Sequence, residues 1–262
     1  MTKTTVIIAF YKRLDFLKLI LEGLQQQTFK DFEVVIAEDN DAPETKNFIE
    51  NNKNNYSFPL FHVCQEDNGF RKNKILNAAV KKASTEKLIF LDGDCIPHPK
   101  LVYSYSQLIQ KGRFYYARRV MLSEKFTQNI IEKAQLSFNF FELMYHKCKK
   151  LRDALYLPFV LPVLKEDRDI WGCNWGVSKS DLLAINGFDE DYETAGYGED
   201  IDVTWRLRAT GVRLYAIRQK AIVYHLFHTE NYNQIALNKS KSIFDEKISA
   251  GNPVCKNGLS KF

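Results

Sequence analysis

The stretch Leu88-Ile89-Phe90-Leu91-Asp92-Gly93-Asp94 is an apolar run that stops abruptly in two carboxylates separated by one glycine. Four consecutive apolar residues, with a lysine before and acids after, suit a strand covered on both faces, as in a parallel sheet with helices packed on either side. Ligands of open α/β sheets bind at the carboxyl ends of such strands. Side chains alternate along a strand, so Asp92 and Asp94 are expected to point the same way, with Gly93 leaving space for a ligand backbone or phosphate. Two hard oxygen donors aimed into one crevice suit a divalent cation that also grips a diphosphate. Asp-Gly-Asp is equally common turn chemistry, so the surrounding chain decides between a turn and a site.

Upstream, strand and helix signals alternate. Residues 4–10 are β-branched and apolar, and 14–27 show helical periodicity through Phe16, Leu17, Ile20, Leu21 and Leu24. A second strand over 33–37 ends in Glu38-Asp39-Asn40-Asp41, and helix 43–52, strand 60–64, basic helix 71–83 and strand 87–91 follow. This alternation predicts a nucleotide-binding type of parallel α/β sheet, with the polar clusters after the second, third and fourth strands along one edge. Beyond Pro97 and Pro99 the pattern predicts a helix to about 110 and a strand over 114–120. Regularity then fails over 123–169, where a long helix over 127–151 and a proline-bounded apolar run over 155–164 are expected. We read this segment as an insertion over the active edge or at an interface, because compact domains seldom carry long structureless loops without a functional reason. From 170 onward the pattern gives strand 171–177, helix 179–185, an acidic glycine-rich loop 187–198, helix 200–209, strands 213–217 and 221–224, and a closing helix 231–248. There is no internal repeat, and Lys/Asn-rich 51–55 is a solvated loop.

A chain of 262 residues that is 45% hydrophobic buries one sizeable core, so we expect a single domain made of a nucleotide-binding half (1–120), a helical insertion (121–169) and an acceptor-binding, catalytic half (170–262). The net charge of +5 favours anionic ligands or an acidic lipid surface and falls short of a nucleic-acid footprint, so no nucleic acid is expected. Five scattered cysteines with no Cys-x-x-Cys pair fit reduced thiols in a cytosolic protein, and Cys95-Ile96-Pro97-His98 fits a structural role better than zinc. The chain runs from Met1-Thr2-Lys3 straight into a strand-like segment without a secretory signal, and it lacks an apolar stretch of about 20 residues. The expected location is cytoplasmic, with peripheral contact on the inner face of a membrane.

Four constellations carry chemistry. Asp39 ends a strand where a carboxylate can accept from a base or sugar hydroxyl, or serve as a cap or loop acid. Arg71-Lys72-Asn73-Lys74 opens a helix, where amides and dipole favour an anion, or forms a solvated basic face. In Gly196-Tyr197-Gly198-Glu199-Asp200-Ile201-Asp202 the acids can cap a helix, or act as general bases on a hydroxyl beside the space that two glycines leave. His225 and His228 follow an apolar strand, where either imidazole is a structural group or a nitrogen ligand for a metal already held by carboxylates.

Taken jointly, the chain resembles the family-2 inverting glycosyltransferases of GT-A fold, through Thr4-Thr5-Val6-Ile7-Ile8-Ala9-Phe10-Tyr11, the Glu38-Asp39 strand end, residues 71–77 and Asp92-Gly93-Asp94. Its second half is similar to the galactosyltransferase C-terminal module of β-1,4-galactosyltransferases, chondroitin-type polymerases and the retaining polypeptide N-acetylgalactosaminyltransferases. The matching residues are Trp171-Gly172-Cys173-Asn174-Trp175-Gly176-Val177-Ser178, Asn186-Gly187-Phe188-Asp189, Gly196-Tyr197-Gly198-Glu199-Asp200 and Val223-Tyr224-His225. Nearly everything except 123–169 is covered. The resemblance implies a mixed α/β sheet flanked by helices, a UDP-sugar donor, a glycan or lipid-linked acceptor, a Mn2+ or Mg2+ cofactor, and a setting in bacterial-type surface polysaccharide or glycolipid assembly. It implies that Asp39 contacts the base, Asp92 the ribose or metal, and Arg71 the base or phosphates. Asp94 and His225 would ligate the metal, with His228 as rival ligand; Glu199 would hold sugar hydroxyls, and Asp200 would be the general base. Phe10, Tyr11, Arg13, Asn73, Gly93 and Trp175 complete the expected nucleotide-sugar-binding set. One departure is Gly196-Tyr197-Gly198, where relatives often carry a tryptophan and two adjacent glycines.

Two rival readings have less support. A nucleotidyltransferase of activated sugars would place a glycine-rich basic loop after the first strand, and Phe10-Tyr11-Lys12-Arg13-Leu14 has no glycine. A catalytically silent carbohydrate-binding protein would not fill every acidic position that transfer needs. Within the insertion, Phe138, Phe140, Phe141, Leu143, Met144 and Tyr145 crowd a stretch that also carries His146, Lys147, Lys149, Lys150 and Arg152. These aromatics must be buried in the core, in a twin subunit, or in the interfacial layer of an anionic membrane, and a homodimer or peripheral membrane contact through 123–169 is expected.

Overall fold

In the computed structural model, which describes residues 3–133, 136, 138–198, 200–229 and 234–261, the run ending at Asp92 is a central strand. The first half alternates as its periodicity requires: β1 (Thr4–Phe10), α1 (Leu14–Gln25), β2 (Phe32–Glu38), α2 (Pro43–Asn52), β3 (Leu60–Cys64), α3 (Lys72–Lys82) and β4 (Lys87–Asp92). There follow β5 (Cys95–Pro97), α4 (Leu101–Leu108), β6 (Arg113–Tyr116), β7 (Arg119–Met121), α5 (Glu124–Lys133), α6 (Phe140–Tyr145) and β8 (Val163–Leu164). The chain closes with β9 (Asn174–Ser178), α7 (Lys179–Ala184), α8 (Ile201–Ala209), β10 (Arg213–Ala216), β11 (Val223–His225) and α9 (Gln234–Ala250).

Eight strands form one sheet in the order β3-β2-β1-β4-β9-β6-β10-β8, and three form a second, β5-β11-β7. The first four strands of the large sheet are parallel, while β9 runs antiparallel to both β4 and β6. The sheet is therefore mixed, as the fold resemblance implied. Alternation divides each central strand between two cores: Val6, Ile8, Ile36 and Leu91 face α1 and α4 through Leu17, Ile20 and Tyr105, and Ile7, Val35, Leu88 and Phe90 face α3, α7 and α8 through Ile75, Leu182 and Leu207. Burial on both faces explains why these strands read as unbroken apolar runs.

Three expectations are corrected. The strand expected over 114–120 is two, β6 in the large sheet and β7 in the small one, because the chain crosses between sheets at Ala117 and Arg118. The helix expected over 127–151 is α5, α6 and a 3₁₀ turn at Leu151–Ala154. A new helix starts where the Asn139 side chain accepts from the Glu142 amide, and Lys147 and Lys150, with φ of 54° and 60°, stop helical propagation afterwards. The insertion's aromatics also divide. Phe138 stacks on Tyr224 at 4.1 Å and Leu143 is buried, whereas Phe141 and Tyr145 are 74% and 82% exposed.

A buried ion pair seats α8. Arg206 donates through Nε to Asp202 Oδ2 at 2.7 Å and through Nη1 to the carbonyls of Ile185 and Gly187 at 2.9 and 2.7 Å. Removing one partner leaves a buried charge uncompensated, so Arg206→Met should destabilise the fold by about 3–5 kcal/mol in urea titrations followed by circular dichroism.

Candidate active site

The carboxyl ends of β1, β2 and β4 open onto one cleft of about 860 Å³, lined by Phe10, Tyr11, Lys12, Arg13, Asp39, Gly69, Phe70, Lys72, Asp92, Gly93, Asp94 and His228, among others. Parallel register fixes this, since Phe10 lies opposite Glu38 and Ala9 opposite Asp92. Among the expected nucleotide-sugar residues, Phe10, Tyr11, Arg13, Asp39, Asp92 and Gly93 are brought together here. Arg13 is the cap residue just before α1 and lies over the Phe16 ring at 3.6 Å.

Asp39 is both a lining acid and a tether. Gln65 Nε2 donates to its Oδ1 at 2.6 Å and the Arg71 amide donates to its Oδ2 at 2.7 Å, which ties the loop after β3 to the end of β2. A carboxylate has about four acceptor sites, so both oxygens retain capacity for a ligand donor. Arg71 contributes this backbone amide, while its guanidinium bonds the Glu66 carbonyl.

Asp92 ends β4 and Asp94 lies in the turn that follows, so strand alternation does not set their relation, yet both line the cleft as expected. Asp92 Oδ1 accepts from Lys72 Nζ at 2.8 Å. A Cβ on Gly93 would lie 2.8 Å from the Ala9 carbonyl oxygen, so the glycine accommodates the end of β1 rather than an approaching ligand.

Asp94 is the centre of a histidine pair. His225 Nε2 lies 3.2 Å and His228 Nε2 3.0 Å from the same Oδ2. The strand pairing explains His225, since β11 runs antiparallel to β5 with His225 opposite Cys95, and the Leu226 amide donates to the Asp94 carbonyl at 2.8 Å. His228 is carried by the following segment, which the Phe227 amide anchors to Thr127 Oγ1 at 2.9 Å. Both histidines thus reach the acid. Burial alone would raise Asp94, but the hydrogen bonds from His225 and His228 outweigh it and hold the carboxyl well below the usual carboxylate range. Burial pushes the neighbouring Cys95 thiol up, and its Sγ donates to Asp94 Oδ1 at 3.1 Å. One carboxylate oxygen and two imidazole nitrogens within 4.8 Å of one another form a donor set that suits a divalent first-row cation.

Asn73 and Trp175, also expected in the site, lie elsewhere. Asn73 is buried with its amide on the Asp189 carbonyl at 2.7 Å, and Trp175 is buried with its ring stacked on Phe90 at 4.4 Å. Neither lines the cleft, though Trp175 borders a small hollow behind Asp92. Asp200 caps α8, with Oδ1 accepting from the Ile201 amide at 2.7 Å. Glu199 lies outside the described residues. The space beside Gly196 and Gly198 is occupied by this chain, since a Cβ at each would meet Leu237 at 2.8 Å and Tyr192 at 2.5 Å. Sequence reasoning missed Lys72 and Cys95 as partners of the two acids. The basic run opening α3 signalled the first, and the position next to Asp94 was the only signal for the second.

Residues 5–161 match the family profile of glycosyl transferase family 2, and residues 165–229 match that of the N-terminal domain of galactosyltransferase. The first match spans more than half of the chain, which therefore belongs to glycosyl transferase family 2. Validoxylamine A glucosyltransferase of Streptomyces hygroscopicus subsp. jinggangensis is 25% identical over 255 residues, covering 89% of this chain and 58% of that protein. A Campylobacter jejuni GalNAc(5)-diNAcBac-PP-undecaprenol beta-1,3-glucosyltransferase is 31% identical over 118 residues, 45% of this chain and 37% of its own length. The chain thus spans little more than half of these curated relatives at most. The crystal structure of GalNAc-T7 with UDP, GalNAc and Mn2+ superposes with a TM-score of 0.65 at 14% identity, over 94% of this chain and 48% of that one, which shows the shared GT-A fold.

The tether at Asp39 has a measurable consequence. Asp39→Ala removes the acceptor for Gln65 and for the Arg71 amide, and leaving such groups unpaired costs about 1–3 kcal/mol. Hydrogen exchange should accelerate over residues 65–71 while the amides of β1 and β4 keep their protection.

Proposed function

We propose that this chain is a metal-dependent, inverting glycosyltransferase that moves a sugar from a UDP-sugar to a hydroxyl of a glycan or lipid-linked acceptor. The observation that carries this reading is the convergence of Asp94, His225 and His228 at the mouth of a cleft whose walls bear Asp39, Lys72 and Asp92. The UDP and Mn2+ in the GalNAc-T7 structure, and the undecaprenol-linked substrate in the name of the Campylobacter relative, support the donor, ion and acceptor classes.

Asp39 accepts from the base, and Lys72 and Arg13 provide positive charge beside the diphosphate. Asp94, His225 and His228 would hold Mn2+ or Mg2+, which when bound neutralises the charge that develops on the departing diphosphate. Asp200 receives the proton of the acceptor hydroxyl while that oxygen forms its bond to the anomeric carbon. The bond from that carbon to the diphosphate breaks on the opposite face, and its electron pair leaves with UDP. The Ile201 amide orients the Asp200 carboxylate for this step. Glu199 is assigned to sugar hydroxyls on the family resemblance alone.

Calorimetric titration of UDP with and without Mn2+ tests the ion site. The wild-type protein should bind UDP in a metal-dependent manner and Asp94→Ala should lose that dependence; unchanged affinity in the variant refutes the assignment. In a UDP-sugar screen, Asp200→Asn should lower transfer by about 10²-fold while donor binding survives. Equal loss of donor binding would make Asp200 a donor ligand or a structural cap.

We further propose that the insertion seats on an acidic lipid surface. Phe141, Tyr145, Phe159 and Leu161 are each more than 70% exposed, and Lys147, Lys149 and Arg152 stand exposed in the same segment, the combination that interfacial docking on anionic headgroups requires. No helix among the described residues is long and apolar enough to cross a membrane. Sedimentation should show binding to phosphatidylglycerol liposomes, and Phe141→Ser with Tyr145→Ser should weaken it. A dimer by light scattering that ignores liposomes would assign the surface to a second copy, and a monomer that ignores them refutes the proposal.

A further inference from the structure

Three cations surround one indole beside the acidic pair. The Arg118 and Arg119 guanidinium carbons lie 4.4 and 5.4 Å from the centre of the Trp171 ring, and Lys150 Nζ lies 4.7 Å from it. Chain topology forces the grouping. Arg118 and Arg119 are at the crossing between the two sheets, and the Met121 and Lys149 backbones exchange hydrogen bonds of 3.0 and 2.8 Å, which brings the insertion alongside β7. Trp171 is held close by because the Cys173 carbonyl accepts from the Asp92 amide at 3.4 Å.

Among the described residues no carboxylate lies within ion-pairing distance of Arg118, Arg119 or Lys150, and the buried Nε atoms of both arginines have no hydrogen-bond partner. Burial, followed by the charges of Arg119 and Arg118, lowers the Lys150 ammonium below its ordinary value. Lys150 also has a φ of 60°, a backbone conformation costly for a residue with a Cβ. Like charges and orphaned donors gathered at one spot are what a bound anion would relieve.

The position says which anion. None of these four residues lines the nucleotide cleft, yet the Asp92 amide donates to the carbonyl of Cys173, two residues from Trp171. The cluster therefore flanks the acidic pair outside the volume that a nucleotide diphosphate would fill. We infer that Arg118, Arg119 and Lys150, arrayed on Trp171, form an acceptor subsite for an anionic group, a phosphate or a carboxylate, carried by the molecule that receives the sugar. This inference rests on the glycosyltransferase reading of the cleft.

The test is calorimetric titration of glucose 1-phosphate, glucuronate and glucose into the protein saturated with UDP and Mg2+. One or both anions should bind at one site while glucose does not, and the arm that binds identifies the anion as phosphate or carboxylate. Arg118→Gln with Arg119→Gln should weaken anion binding about tenfold or more, with UDP affinity changed less than twofold. Lys150→Gly is the second variant, because glycine suits its positive φ and keeps the fold while removing the ammonium; it should weaken the anion in the same manner. Equal binding of glucose, or absence of binding by both anions, overturns the inference, as does a parallel loss of UDP affinity, which would return the cations to the donor. Failure of the wild-type protein to bind UDP would instead overturn the reading of the cleft, and titration without UDP then still decides whether the cluster takes an anion.

Discussion

The cleft depends on how closely the end of β4 passes the end of β1. Ala9 and Asp92 are register partners, and the turn at Gly93 crosses β1 so tightly that a Cβ there would sit 2.8 Å from the Ala9 carbonyl oxygen and 3.3 Å from the Phe10 Cα. A side chain at 93 would force the two strands apart at the place where their carboxyl ends must stay level. Because the turn is tight, the chain leaves the large sheet at Asp92 and enters the small one at Cys95 within three residues. The small sheet then presents His225 next to Cys95, and so beside Asp94. One glycine thereby couples the two sheets and sets both acids, each with its own partners.

Those partners give the site its electrostatic character. Asp92 has Lys72, Asp94 has two imidazoles and a thiol, and Asp39 has an amide from each end of the loop after β3. Each carboxylate is thus oriented by its partners before a ligand arrives. Binding exchanges one set of donors for another, which avoids most of the cost of reorienting dipoles at the moment of reaction. Cys95 illustrates the economy of the arrangement: its thiol, pushed up by burial, remains a donor and steadies the acid from the interior.

The sequence was most legible where periodicity is unambiguous. The buried parallel strands, α1 and α3 were readable because apolar runs and 3.6-residue spacing leave few alternatives. Asp39, Asp92 and Asp94 fall on one cleft because polar groups at strand ends in an α/β sheet collect on one edge. Asn73 and Trp175 were misplaced for a shared reason: both are next to residues that do face the cleft, and only the rotation of the helix or strand distinguishes a cleft-facing neighbour from a core-facing one. Lys72 faces the cleft while Asn73 reaches back to Asp189. Gly93, Gly196 and Gly198 show the same limit, since a glycine reports that something approaches closely but not whether it is a ligand or the protein itself.

The segment that the sequence rendered least well follows a different logic. From Ala117 to Trp171 the chain builds short elements that lean on other parts of the molecule: β7 pairs with β11, the 149 backbone pairs with β7, and Phe138 stacks on Tyr224. Short pieces stabilised by distant partners carry little local signal, because their stability comes from tertiary packing rather than from their own propensity. The breaks that make this stretch illegible also have consequences for its surface. A continuous helix over 127–151 would have turned Lys147, Lys149 and Lys150 along successive faces of one rod. The left-handed residues at 147 and 150 fold the chain back instead, so that Lys150 meets Trp171 beside the acidic pair while Phe141 and Tyr145 remain outside. The same interruption therefore parts Lys150, which lies on the Trp171 ring, from the exposed Phe141 and Tyr145.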